Sequence, residues 1–136
     1  MKILVIDIEN SPNLAHVWSL WNNNVSLSQL QETGEIISFA AKWTDKKKVI
    51  FKSTFHDGKE AMLDEAHRLL SEADIVIGYN SKNFDMKHLN RAFIENGYDP
   101  PAPYAQVDLM HVVKSQFRFV SNKLDHVVQQ LGLGAK

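Results

Sequence analysis

Two acidic residues close the most apolar run of the chain. Residues 2–8 read KILVIDI, and Asp7 and Glu9 stand two apart at its end. A strand sends alternate side chains to opposite faces, so these carboxylates face the same way. Side by side they repel each other and lose hydration. A divalent cation relieves both costs, and an all-oxygen donor set suits Mg2+ or Mn2+. The ordinary alternative is a strand that ends at Ile6, with both acids solvated in a loop. A second apolar run, residues 74–78 (DIVIG), leads into Tyr79-Asn80-Ser81-Lys82-Asn83-Phe84-Asp85. Asp85 falls where a helix starts at the end of a neighbouring strand, and open α/β sheets gather ligands at the carboxyl ends of their strands. Asn80 can bond backbone across the turn, or a substrate phosphate or sugar. Phe84 can anchor the turn in the core. Taken alone, Asp85 reads equally as a helix N-cap.

The elements that position these residues follow from hydrophobic pattern. Residues 2–8 read as a central strand covered on both faces. Residues 9–34 are polar and punctuated by Ser11-Pro12, Asn22 to Asn24 and Gly34, which predicts a long loop with short helical turns around Trp18 and Trp21. Residues 36–43 and 48–55 predict an antiparallel hairpin turning at Asp45-Lys46. Met62, Leu63, Ala66, Leu69, Leu70 and Ala73 keep helical spacing. Residues 85–96 predict a helix with Leu89 and Phe93 inward and Gly97 as its stop. Pro100, Pro101 and Pro103 force an extended stretch, and residues 106–108 predict an edge strand. A short helix follows from Leu109. A last helix carries Leu124, Val127, Val128 and Leu131, with Ser121 or Asn122 as cap and Gly132 as stop. This order predicts an α/β fold: a mixed sheet with helices on its faces.

Composition excludes several classes. The chain has 136 residues, 44% hydrophobic and 23% charged, which is the make-up of one globular domain without repeats or linkers. A net charge of -1 rules out binding nucleic acid by bulk positive charge. The absence of cysteine excludes a disulfide scaffold, a thiolate zinc site and a cysteine nucleophile, and a cytoplasmic location is expected. The apolar runs are too short to span a bilayer, so no membrane partner is expected.

Together, Asp7-x-Glu9 and Asn80-x-x-x-Phe84-Asp85 resemble the first two motifs of the DEDD superfamily. These are the ribonuclease H-like 3′–5′ exonucleases, including polymerase proofreading domains. The resemblance covers nearly the whole chain, including the hairpin after the first strand and the run Asn122-Lys123-Leu124-Asp125-His126 ahead of Gly132-Leu133-Gly134. It implies a ribonuclease H-like fold and a two-metal phosphodiesterase using Mg2+ or Mn2+. Asp7 would bridge two cations, Glu9 would hold one and Asp85 the other, partly through water. Asn10 stands where many relatives carry Thr, and its backbone with that of Ser11 would meet the terminal nucleotide. The implied partner is nucleic acid, preferably a single-stranded 3′ end of DNA or RNA, with a polymerase or other replication protein as a further partner. Both acids of the first motif on one strand disfavour the related endonucleases, which draw the second acid from a helix.

The family's third motif, a Tyr or His with an Asp four or five residues later on a C-terminal helix, is not matched where expected. The expectation is therefore a single domain over residues 1–136, truncated at its C-terminus, with three of four acidic ligands and weak or no activity. Its rival is a non-catalytic nucleic-acid-binding or assembly module. The literal match Tyr104-x-x-x-Asp108 comes early, beside three prolines. In an extended segment those two residues are about 13 Å apart rather than neighbours. Asp108 reads better as a strand-end residue or a cap for the following helix. His88 and His126 read as surface residues, since an oxygen-rich site favours hard cations. Trp18 and Trp21 have two readings, stacking on unpaired bases or covering the sheet edge. Lys46 to Lys48 read as a hairpin tip, and Arg118 and Lys123 near Phe117 and Phe119 suit a single strand.

Overall fold

A computed structural model describes residues 1–134. The chain opens with β1 (Ile3–Asn10) and a short hairpin arm, β2 (Leu14–Ala15) and β3 (Leu30–Glu32), which form a two-stranded sheet of their own. Then come β4 (Ile36–Trp43), β5 (Ile50–Ser53), α1 (Thr54–Asp57) and α2 (Lys59–Glu72). They are followed by β6 (Ile75–Gly78), α3 (Asp85–Glu95), β7 (Ala105–Asp108), α4 (Leu109–Gln116) and α5 (Leu124–Gln130). The main sheet has the order β5-β4-β1-β6-β7. β1 pairs antiparallel with β4 and parallel with β6, and β7 extends the parallel half at the edge. The α/β class and mixed sheet expected from the sequence are present.

The core lies on one side of this sheet. Leu4, Ile6 and Ile8 of β1 and Phe39 and Ala41 of β4 point into it. α2 covers them with Met62, Leu63, Ala66, Leu69 and Leu70, and α3 with Met86, Leu89 and Phe93. All of these side chains are buried. Fully burying such a side chain contributes about 1.5–3 kcal/mol, so this layer is the main support of the strand ends.

Four expectations differ from what forms. β1 is covered on one face, not both: Val5 and Phe51, on the other face, are 41% and 54% exposed. A continuous apolar run looks alike whether one or both faces are packed. The helical turns expected around Trp18 and Trp21 do not form, and the turn lies instead at Leu27–Gln29, where Gln29 accepts from the Ser26 N–H as a capping box. The second hairpin strand stops at Ser53, whose hydroxyl accepts from His56 N–H and starts α1. α5 is preceded by Lys123, not capped by Ser121 or Asn122, although Ser121 Oγ accepts from Lys123 N–H. Among the described residues no helix is long and apolar enough to cross a membrane.

Candidate metal and nucleic-acid site

β1 and β6 pair only from Ile3 to Val5 and from Ile75 to Ile77, so the end of β1 runs past its parallel neighbour. Asp85, the first residue of α3, fills that gap. Its Oδ2 accepts the Ile8 N–H at 3.2 Å, a bond between residues 77 apart in sequence. Asp85 is therefore not the N-cap of its helix; Phe84 holds that position without a side-chain bond. The approach of α3 depends on Gly78. A Cβ there would lie 2.4 Å from Ser81 Cβ, so any other residue would push the β6–α3 turn outward.

Asp7 and Glu9 project from the open face of β1 and are exposed, whereas Asp85 is buried. Burial first, opposed by the Ile8 N–H and aided by the charges of Asp7 and Asp108, pushes the Asp85 carboxyl up to about 6. The negative charges of Asp7 and Asp108 both act on this carboxyl. Oxygen donors in an electronegative site fit a hard divalent ion, and Mg2+ commonly takes one or two carboxylates and completes its shell with water and phosphate. Among the described residues, no group of three or more His, Asp or Glu side chains is gathered closely enough to hold a metal by itself. The charge of Asp7 acts on the Asp85 carboxyl, and Glu9 stands two residues further along the same face of β1.

The sign of the Asp85 shift sets a pH dependence. A carboxyl whose folded pKa is raised stabilises the fold fully below the unfolded value of 3.8, and that contribution is lost as pH rises through about 6. Asp85→Asn should therefore raise metal-free stability at pH 7 by about 1–2 kcal/mol, discounted for the solvent beside the site, and leave stability at pH 3 unchanged. Urea unfolding at the two pH values checks this.

Asp108 has a different environment. It is buried at the end of β7 and caps α4, accepting from Met110 N–H at 3.0 Å. Its oxygens also accept from Asn80 N–H at 2.8 Å and Lys82 N–H at 3.2 Å. Asn80 adopts a positive φ of 60°, a conformation that Asn tolerates, and this bond holds it there. Asp108→Ala orphans three N–H groups at once and should cost about 3 kcal/mol by chemical denaturation. Asp108→Asn keeps one acceptor and should cost less. Tyr104 does not join Asp108: its ring packs on the core and its hydroxyl lies 3.3 Å from Met86 Sδ.

The remaining candidates divide. Phe84 does not anchor the turn in the core; it is 40% exposed and packs edge-on against His88. The Ser11 N–H is already donated to Glu35 O, and its hydroxyl accepts from Glu35 N–H, so its backbone is committed to the arm. Asn10 has a buried Oδ1 with no hydrogen-bond partner, an acceptor left for something else. His126 is half-buried rather than solvent-facing.

An element that sequence reasoning missed is the wall facing the sheet. Tyr79 donates its hydroxyl to Asn122 O and pins the segment before α5. Between that segment and the sheet runs an open groove of about 840 Å3, lined by Asp7, Asn80, Lys114, Lys123 and Leu124 among others. That volume lies within the usual range of about 300–1,000 Å3 for ligand clefts. No local pattern in the sequence announces it, because the two walls are more than 40 residues apart.

A sheet of this order with acidic residues at its strand ends defines a class, and the comparisons agree. Residues 27–136 match a family model of the RNase H superfamily, and the chain belongs to that superfamily. Fifty-nine chains of solved structures match it. Among them is the family B DNA polymerase of the hyperthermophilic archaeon Pyrobaculum calidifontis. The match has a TM-score of 0.69 and 18% identity, over 98% of this chain. It spans 18% of the polymerase, so the likeness is one of fold to a part of a larger protein. No curated protein matches the chain.

Proposed function

We propose that this domain is a divalent-metal-dependent 3′–5′ exonuclease acting on DNA or RNA. The observation that carries this reading is that Asp85 accepts the Ile8 N–H, between Asp7 and Glu9 in sequence, at the end of β1 that runs past β6, with Asp7 lining the open groove. Asp7 and Asp85 would hold Mg2+ or Mn2+ together with water and phosphate, with Glu9 two residues further along β1. When bound, the ion supplies Lewis-acid stabilisation of the phosphoryl oxygens and a water of lowered pKa. The chain's own residues do the rest. Ile8 N–H fixes the Asp85 carboxylate, and Asp108 fixes the Asn80 turn at the groove. Lys114 and Lys123 line the same groove and supply positive charge for a phosphate backbone. Asn10 Oδ1 offers an acceptor at the strand end. Tyr104 and Asp108 are spent on the fold, so the reaction depends on carboxylates from elsewhere or proceeds slowly. That same fact favours the second reading, a domain that binds nucleic acid without cutting it.

A 5′-labelled single strand incubated with Mn2+ separates the two. Shortening one nucleotide at a time from the 3′ end is expected, slow for residues 1–136. Binding with no cleavage at any Mn2+ concentration would favour the second reading.

A further inference from the structure

One side chain ties the far wall of the groove to the sheet. β6 ends at Gly78, and Tyr79 follows it. The next residue, Asn80, is held at its positive φ by the bond from its N–H to Asp108, so the backbone carrying Tyr79 is fixed on both sides. From there Tyr79 reaches across the groove and donates its hydroxyl to Asn122 O, 43 residues later. Among the described residues, no other hydrogen bond joins residues 117–123 to the sheet or to the β6–α3 turn. That segment has little else to hold it. It leaves α4 in extended backbone at Phe117, and Phe117 and Val120 are 59% and 98% exposed. α5 beyond it buries Val127 alone.

What this tether places is a charge. Lys123 follows Asn122 directly. Its N–H donates to Ser121 Oγ at 3.2 Å and its carbonyl accepts from Val127 N–H at 3.0 Å. With the Tyr79 bond, the peptide groups on both sides of its Cα are therefore held. Lys123 lines the groove with Asp7, Lys114 and Asp125. A lysine ammonium moves on its four-carbon stem, and a fixed Cα is what keeps it at the groove. We infer that Tyr79 is a positioning residue: its hydroxyl holds Lys123 at the groove wall, where the ammonium meets a backbone phosphate of the bound nucleic-acid strand. This rests on the nuclease reading for the identity of the anion. Without the hydroxyl the wall leaves the sheet for part of the time, and affinity falls with the fraction of molecules in which it is in place.

The test is fluorescence anisotropy of a 5′-labelled oligothymidylate without divalent cation, over a range of salt, with wild type, Lys123→Ala, Tyr79→Phe and the double variant. One phosphate contact on a single strand carries a slope of log affinity against log salt of about 0.7. Lys123→Ala should lower the slope by about that much and weaken binding about fivefold at about 0.1 M salt. Tyr79→Phe alters no charge, yet it should lower the slope by up to the same amount and weaken binding about two- to fivefold. A loss of stability alone does not change that slope, and melting temperatures confirm that each variant is folded during the measurement. Adding Tyr79→Phe to Lys123→Ala should have little further effect, since both act through one contact. Tyr98→Phe is the control. Its hydroxyl donates to Asp64 on α2, which covers the other face of the sheet, so affinity and slope should stay as in wild type. A slope lowered by Lys123→Ala but unchanged by Tyr79→Phe would overturn the positioning role alone. A slope unchanged by Lys123→Ala would remove the phosphate contact and overturn it as well. Wild type that does not bind the oligonucleotide would overturn the nucleic-acid reading and, with it, this role.

Discussion

Asp7→Ala and Asp85→Ala should each lower Mn2+-dependent shortening of a 5′-labelled strand by on the order of 10^3-fold or more. Losing a hard ligand removes several kcal/mol of charge stabilisation at the phosphoryl group, and each 1.4 kcal/mol is about tenfold in rate. Asp7→Asn should fail almost as badly, because it keeps the volume but loses the charge. Asp108→Asn is the informative contrast. Its carboxylate accepts from Asn80, Lys82 and Met110 N–H, so its replacement should lower stability while activity per folded molecule changes little. Gel analysis at a temperature well below each variant's melting point reads these rates. Full activity in Asp85→Ala would remove Asp85 from the site.

Saturating Mn2+ should raise the melting temperature by about 10 °C. An ion present at about 100 times its dissociation constant stabilises the fold by about 2.7 kcal/mol, and a domain of this size shifts by about 3–4 °C per kcal/mol. The effect should grow with pH between 5 and 7, because Asp85 with its pKa pushed up to about 6 must lose its proton to serve as a ligand. Asp7→Ala should remove most of the shift. Asp85→Asn should remove it too, while raising the metal-free baseline at pH 7, since the buried like charge is gone. Differential scanning fluorimetry with and without chelator measures both. An undiminished shift in Asp7→Ala would place the ion elsewhere.

Most of the main elements were legible as patterns of residues. The core face of α2 follows helical spacing, and every residue expected on it is buried. The DIVIG strand, the helix from Asp85 and the edge strand ending at Asp108 lie where apolar periodicity and proline placed them. The arm was not legible. Its two- and three-residue strands carry too few residues to show a period, and its geometry is set by side-chain bonds from Asn13 and Gln29 across the loop. Phe84 misled because an aromatic residue before a helix reads as an anchor. Here Met86, two residues later, takes the core position.

The sequence by itself determined where the acidic residues fall among the elements: two carboxylates on one strand face, and a third at a helix start. It also determined that the tip of the arm carries no charge, since composition needs no fold. Three matters were decided only by tertiary structure. One is that Asp85 reaches β1 at all, because β6 stops short and leaves the Ile8 N–H open to it. Another is that Asp108 is an acceptor for three backbone N–H groups, partners set by the meeting of two loops. The last is which faces are left bare. Val5 and Trp18 have the same apolar character as residues inside the core, and a chain sequence records that character but not what lies opposite it. Burial depends on a partner surface, and partner surfaces exist only once the strands and helices have packed.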